Sequence, residues 1–198
     1  MYSNDLKISL INLYKISQAL KKLKIIHVVV SDALLALIKE GELIDWNWSW
    51  SVDIVLKNFD LGDDFLKLIV ELDSLNIGKL QIKKSSNHNY IEIFCDKLLY
   101  KIHVFKKDLG DIDGKNYYLI NQDDKFGVIS DKIFNGYTLP IPKNANLFLE
   151  EIYNTPFPDL IEMSDEEILF KKTKLFKKNQ SKSKINFYKL IKKNFIYF

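Results

Sequence analysis

The sequence predicts an α+β fold in which a mixed sheet is flanked by helices. Two observations indicate this fold class. Apolar residues recur every three or four positions in some segments, as in amphipathic helices, and alternate with polar residues in others, as in half-buried strands. Helical and strand segments also follow each other irregularly, whereas a doubly wound parallel sheet requires regular alternation. The predicted helices are 5–23, 31–41, 60–75 and 144–153, and the predicted strands are 25–30, 43–56, 79–84, 90–95, 99–105, 117–120 and 126–130, with a proline-bounded edge at 139–142.

Local signals support each element. The first helix has leucines and isoleucines on one face and lysines near its C-terminal end, as the helix dipole favours. The run IIHVVV (25–30) is typical of a buried strand, and we interpret His27 within it as a core residue. The second helix has Ser31 as its predicted N-cap and Gly41 immediately after its end. The later strands are short runs rich in Ile, Val, Phe and Tyr, bounded by polar segments.

Composition indicates one globular domain with a basic C-terminal extension. The chain has 198 residues, of which 47% are hydrophobic and 28% charged, so it can bury a self-sufficient core. We place the domain at 1–162 and the extension at 163–198, a lysine-rich segment with interspersed aromatic residues that is predicted to be helical. Such a segment suits an anionic membrane surface, and a helix packed on the body explains it too. Nucleic acid is not expected as a partner.

The cellular setting is inferred from what the sequence lacks. Its single cysteine, Cys95, cannot form an internal disulfide, which fits a reducing compartment. The first residues do not have the pattern of a signal peptide, and no apolar run is long enough to span a bilayer. We therefore expect a cytoplasmic protein, or one that lies peripherally at the inner face of the membrane. Because every basic residue is lysine, a phosphate site would use lysine, backbone N–H groups or a metal instead of the arginine fork.

Residues 45–54, DWNWSWSVDI, carry the clearest chemical pattern. In an extended strand the three tryptophans share one face, most simply a packing face, although Trp48 or Trp50 could instead stack on a ligand. The opposite face is a row of oxygen-bearing side chains that includes Ser51 and ends at Asp53. Because Mg²⁺ prefers oxygen ligands, this row is a candidate metal site.

The segments SDALLALIKEGELI (31–44), the tryptophan-containing strand ending in VDI, IEIF (91–94) and LPIP (139–142) follow one another along the chain. Their order and spacing resemble the LicD/fukutin family of nucleotidyltransferase-fold enzymes. SDALLALIKEGELI and the tryptophan-containing strand ending in VDI are similar to the family's S-G-T-L-L-G and W-D-D-D-I-D-I patterns. IEIF, which contains Glu92, is similar to its V-D-I-F strand, and LPIP with the following helix is similar to its V-P-V-P segment. The resemblance covers about residues 8–160. It implies a polymerase-beta-type mixed sheet and the transfer of a phospho-substituent, such as phosphocholine or a polyol phosphate, from a CDP-linked donor to a cell-surface glycan.

The resemblance also implies roles for individual residues. Asp53 and Glu92 would be the catalytic carboxylates, and together with Ser51 they would hold a divalent metal, Mg²⁺ or Mn²⁺. The metal would neutralise the donor diphosphate and activate the acceptor hydroxyl. Ser31 and Lys39 would bind the donor phosphate.

The sequence departs from the family pattern at these same positions. Ser49 and Ser51 stand where the family has aspartates, and Asp32 stands where it has a glycine that lets phosphate approach a helix N-terminus. Lys39 replaces an arginine and loses its bidentate fork. Neutral oxygens bind Mg²⁺ less well than carboxylates, so at most one metal would be held, and weakly. Two functions therefore stay open: a transferase with an altered metal site, or a catalytically impaired relative that acts as a glycan-binding or partner subunit in surface-polysaccharide synthesis.

Overall fold

The computed structural model describes residues 3–43, 51–59, 62–84, 88–95, 98–105 and 127–168. The helices in this part of the chain are α1 (Ser3–Lys22), α2 (Ser31–Glu40), α3 (Asp63–Ser74), α4 (Ala145–Tyr153) and α5 (Phe157–Glu162). The strands are β1 (His27–Val30), β2 (Ser51–Leu56), β3 (Lys79–Lys84), β4 (His88–Cys95), β5 (Leu98–Phe105), β6 (Ile129–Phe134) and β7 (Tyr137–Pro142). The predicted α+β class is confirmed, since a mixed sheet is flanked by helices.

Five strands form the main sheet in the order β1-β2-β5-β4-β3. β2 and β5 run parallel, whereas β1 with β2, β5 with β4, and β4 with β3 are antiparallel. β6 and β7 form a separate antiparallel hairpin. The parallel β2–β5 pair is formed by strands far apart in sequence, so it brings together side chains that no local pattern connects.

The two faces of the main sheet differ in chemistry. One face carries fully buried apolar side chains such as Ile54, Ile91 and Ile102, which form the core with α1. Tyr100 lies on this face and donates its hydroxyl hydrogen to the backbone carbonyl of Ser9 in α1, at 2.9 Å. Because side chains alternate along each strand, the opposite face receives the polar residues of β2, β4 and β5. We call this opposite face the polar sheet face.

The start of α2 differs from the prediction. Ser31 was the predicted N-cap, which is wrong: Val30 occupies the cap position in extended conformation, and Ser31 is the first helical residue. Ser31 has a φ of 60°, in the left-handed region that favours glycine. β1 passes directly into α2, so the chain must turn sharply at this residue. The prediction at the other end is confirmed, because Gly41 ends the helix with a φ of 75° and its N–H donates to the carbonyl of Leu37.

Strand boundaries and the hairpin were predicted less well. The predicted strand at 126–130 is instead β6, which starts at Ile129 and continues into a hairpin. Asn135 and Gly136 both have positive φ, which permits the two-residue turn that reverses the chain. The short helix α5 was not predicted. Trp48, Trp50 and the predicted strand at 117–120 lie outside the described residues.

The packed body continues past the predicted domain boundary at 162. Ser164 and Glu167 form a reciprocal capping box: the Ser164 N–H donates to Glu167 Oε2 at 2.8 Å, and the Glu167 N–H donates to Ser164 Oγ at 3.4 Å. Ile168, one residue further, is fully buried in the core. The membrane hypothesis for 164–198 falls mostly on residues outside those described. Within the described ranges, no helix is both long and apolar enough to cross a membrane.

Candidate functional site

The polar sheet face carries the predicted site residues of β2. Asp53 is opposite Val30 of β1 on one side and opposite Lys101 of β5 on the other. Ser51, two residues earlier, points to the same face and donates its hydroxyl hydrogen to Asp53 Oδ2 at 3.2 Å. Asp53 is only 1% exposed, so its carboxylate is held within the protein instead of lying at the surface.

His103 of β5 forms a hydrogen bond with Asp53 that sequence reasoning missed. Its Nε2 lies 2.7 Å from Asp53 Oδ1, and because a carboxylate only accepts, the imidazole Nε2–H donates. His103 is itself buried and its ring lies 6.2 Å from that of Tyr90 on β4. The alternation in KIHVF placed His103 on a polar face, but only the parallel pairing of β5 with β2 shows which carboxylate it meets.

Glu92 lies two strands away from Asp53. Lys101 of β5 is opposite Asp53 on one side and opposite Glu92 on the other, so two strand spacings, about 10 Å, separate the backbones of the two acids. Lys101 Nζ is 3.8 Å from Glu92 Oε1 and 5.1 Å from the centre of the Tyr90 ring. The structure therefore brings Ser51 and Asp53 together and pairs Glu92 with a lysine instead.

Metal binding stays a prediction. Among the residues that the structure describes, no three His, Cys, Asp or Glu side chains are grouped so that they could hold a metal ion. The Oγ of Ser51 and the Oδ2 of Asp53 are nevertheless 3.2 Å apart. Neighbouring ligands of an octahedral Mg²⁺ are about 3 Å apart, since each metal–oxygen bond is about 2.1 Å long. These two side chains thus offer two of the six ligands that Mg²⁺ requires.

The two predicted phosphate-binding residues lie at opposite ends of α2. Ser31 starts the helix beside β1, whereas Lys39 lies about 12 Å further along the helix axis at a rise of 1.5 Å per residue. Lys39 Nζ donates to the backbone carbonyl of Met163 at 2.9 Å and lies 3.9 Å from Glu40. Lys39 therefore does not lie near Ser31. Its side chain instead connects the end of α2 to the segment after α5.

Asp32 places a negative charge in the first turn of α2. It is 3% exposed, and Tyr153 of α4 donates its hydroxyl hydrogen to Asp32 Oδ1. A helix N-terminus favours an anion because its backbone N–H groups and dipole are directed outward. The chain's own carboxylate is thus present where the resemblance implies a donor phosphate.

His27 is a core residue, as predicted. It is 3% exposed, its Nδ1–H donates to the carbonyl of Ile25 at 3.0 Å, and its Nε2 accepts the hydroxyl hydrogen of Ser17 at 2.7 Å. These two bonds require the neutral imidazole. Burial is the main reason why the pKa of His27 falls from 6.5 to about 4, although the bond to Ile25 raises it.

Comparisons with known proteins add little to this geometry. The chain matches no protein-family model and no curated protein sequence. Among solved structures, the polymerase core of TRAMP, a RNA surveillance complex, is similar over 58% of this chain and 35% of that chain. The sequence identity is 14% and the TM-score is 0.38. The present chain thus spans about a third of the length of that polymerase core.

Proposed function

We propose that this chain is a LicD/fukutin-like protein of nucleotidyltransferase-like fold in which metal-assisted transfer is lost or reduced. In this proposal it acts at the cytoplasmic side of surface-polysaccharide synthesis, as a glycan-binding or partner subunit. The observation that carries the proposal is the buried hydrogen bond between Asp53 and His103. It engages the carboxylate that a metal would need most.

The environment of Asp53 supports this proposal energetically. A metal would have to compete with His103 at Oδ1 and with Ser51 at Oδ2. A hydrogen bond to a charged group contributes about 1.5–3 kcal/mol, so displacing both partners would weaken metal binding considerably. The second predicted carboxylate, Glu92, cannot compensate from its place beside Lys101.

The start of α2 supports the same proposal, because it disfavours binding of a CDP-linked donor. A CDP-linked donor brings two phosphates, and a phosphate at this helix N-terminus would meet the carboxylate of Asp32, which Tyr153 holds in place. Repulsion between the two anions inside the protein would be stronger than in water because the local dielectric constant is lower. Tight binding of a CDP-linked donor at α2 is therefore disfavoured.

A transferase with an altered metal site is the second candidate. The 3.2 Å separation of Ser51 Oγ and Asp53 Oδ2 favours it, since the two oxygens are already spaced as Mg²⁺ ligands. In that case Ser51 and Asp53 would hold the metal, which would supply charge neutralisation for a transferred phosphate.

Thermal unfolding with and without metal distinguishes the two candidates. The protein is heated with 10 mM Mg²⁺ or Mn²⁺, alone and with CDP-choline, against a control of equal ionic strength. A metal site with a dissociation constant of about 0.1 mM would stabilise the fold by about 2.7 kcal/mol and raise the Tm by about 5–10 °C. We expect no difference from the ionic-strength control.

Asp53→Asn is the variant to measure beside the wild-type protein. The asparagine keeps the shape of the side chain but is a poor metal ligand, and each protein is compared with itself, so a general loss of stability does not matter. A metal-dependent Tm increase in the wild-type protein that disappears in Asp53→Asn would overturn the proposal in favour of the transferase.

A further inference from the structure

Beside Asp53, the polar sheet face continues across β5, β4 and β3 as a regular grid of side chains. The register places one residue of each strand side by side in three successive rows. We call this surface the lysine face, and it is formed mainly by Lys79, Gln81, Lys83, Tyr90, Phe94 and Lys101.

The lysine face is cationic. Lys79 and Lys83 are exposed on β3, which is the last strand in the order of the main sheet. The acidic residue of the grid, Glu92, has a side chain only 9% exposed and lies 3.8 Å from Lys101, so this pair is close to neutral as a whole. The two lysines of β3 therefore determine the charge that a ligand meets.

The spacing of the side chains restricts the ligand. Lys79 and Lys83 are four residues apart on one strand, which separates them by about 13 Å, and Gln81 lies between them with both donor and acceptor groups. Phe94, 39% exposed, lies opposite Lys79 in the neighbouring strand. An extended chain along β3 would meet a cation, a polar amide and a second cation in turn.

The aromatic residues argue against single-stranded nucleic acid as this ligand. Nucleic-acid platforms stack successive bases on aromatic rings, with a basic groove along the backbone. Here Tyr90 and Phe94 are separated by about 13 Å along β4, and Lys101 lies over the Tyr90 ring at 5.1 Å. Rings so far apart, one of them already in contact with a lysine, do not suit consecutive bases.

We propose that the lysine face binds an anionic glycan, a saccharide or polyol chain bearing phosphodiester or carboxylate groups. This inference deepens the proposed function, on which it rests, by naming the charge class of the glycan. Lys79 and Lys83 pair with two anionic groups about 13 Å apart, Gln81 hydrogen-bonds the hydroxyl groups between them, and Phe94 packs against an apolar sugar or polyol surface.

Binding of defined oligomers to the full chain tests the proposal. The probes are a glycerol-phosphate oligomer, a neutral dextran oligomer of similar length and oligo(dT), each titrated at low and at physiological salt. We expect the glycerol-phosphate oligomer to bind best and to weaken as salt is raised. In Lys79→Gln/Lys83→Gln its Kd should rise roughly tenfold, because two exposed ion pairs are lost.

A matched control removes the same charge elsewhere. Lys7→Gln/Lys15→Gln changes two exposed lysines of α1, the helix that covers the other face of the sheet. Equal weakening by both double variants would overturn the proposal, since binding would then follow net charge alone. Tighter binding of oligo(dT) would overturn it in favour of nucleic acid.

The remaining outcomes separate this inference from the proposed function. If the neutral dextran binds as tightly as the glycerol-phosphate oligomer, and Lys79→Gln/Lys83→Gln does not change its Kd, the lysine face is not the binding site. A glycan-binding role would nevertheless remain. Binding of none of the three oligomers at millimolar concentration would overturn the inference and the glycan-binding role together, whereas loss of metal-assisted transfer is judged separately by the metal titration.

Discussion

The buried His27 should make the protein lose stability as the pH falls below neutral. The folded-state pKa of about 4 lies below the value of 6.5 for an exposed histidine, so the unfolded chain binds the proton more tightly. The contribution of the neutral, buried His27 to the free energy of unfolding is therefore complete above pH 6.5 and is lost progressively as the pH falls to about 4. With one titrating site and these two values, the loss between pH 7.5 and pH 5 is about 2 kcal/mol.

Urea unfolding of the wild-type protein and of His27→Gln at both pH values measures this loss. Carboxylates that titrate in the same range contribute to both proteins, so the difference between their unfolding free energies isolates His27. The wild-type protein should lose about 2 kcal/mol more than the variant between pH 7.5 and pH 5. A difference that does not change with pH would refute the reasoning, because His27 would then have the same pKa in the folded and unfolded states.

Ser17→Ala is the matched control for this experiment. It removes the hydroxyl group that donates to His27 Nε2 but keeps the buried imidazole. We expect a loss of about 1–3 kcal/mol at pH 7.5, because a buried acceptor loses its partner. The pH dependence should remain, since burial is the main cause of the lowered pKa of His27.

Two further substitutions test the packing of the sheet. Gly78→Ala should lower the free energy of unfolding in urea by about 1–3 kcal/mol, because a Cβ there would lie 2.0 Å from the backbone carbonyl oxygen of Phe94. Gly62→Ala is the control: a Cβ at Gly62 would meet open space, so this variant should lose less than about 1 kcal/mol. Equal losses in the two variants would contradict the clash at Gly78. Tyr100→Phe should cost about 1–2 kcal/mol, because the buried hydroxyl donates to Ser9 of α1, and an unchanged unfolding free energy would show that this bond contributes nothing.

Much of the secondary structure could be predicted from local patterns. The strand 79–84 has the predicted bounds, and those at 90–95 and 99–105 differ only at their starts, because alternation and β-branched residues mark them directly. Gly41 was predicted as the end of α2 because a left-handed residue there favours glycine. Ser31 was misjudged because its hydroxyl made it a typical N-cap, whereas the direct passage from β1 into α2 moves the cap to Val30.

Part of the candidate site could likewise be predicted from local patterns, and part could not. Strand alternation alone determined that Ser51 and Asp53 share a face and that Lys101 and His103 share one. Only the tertiary structure decided that β5 lies beside β2, so that His103 meets Asp53 and Lys101 separates Asp53 from Glu92. The physical reason is that side-chain periodicity is a local property of the backbone, whereas strand order depends on how the whole chain buries its apolar surface.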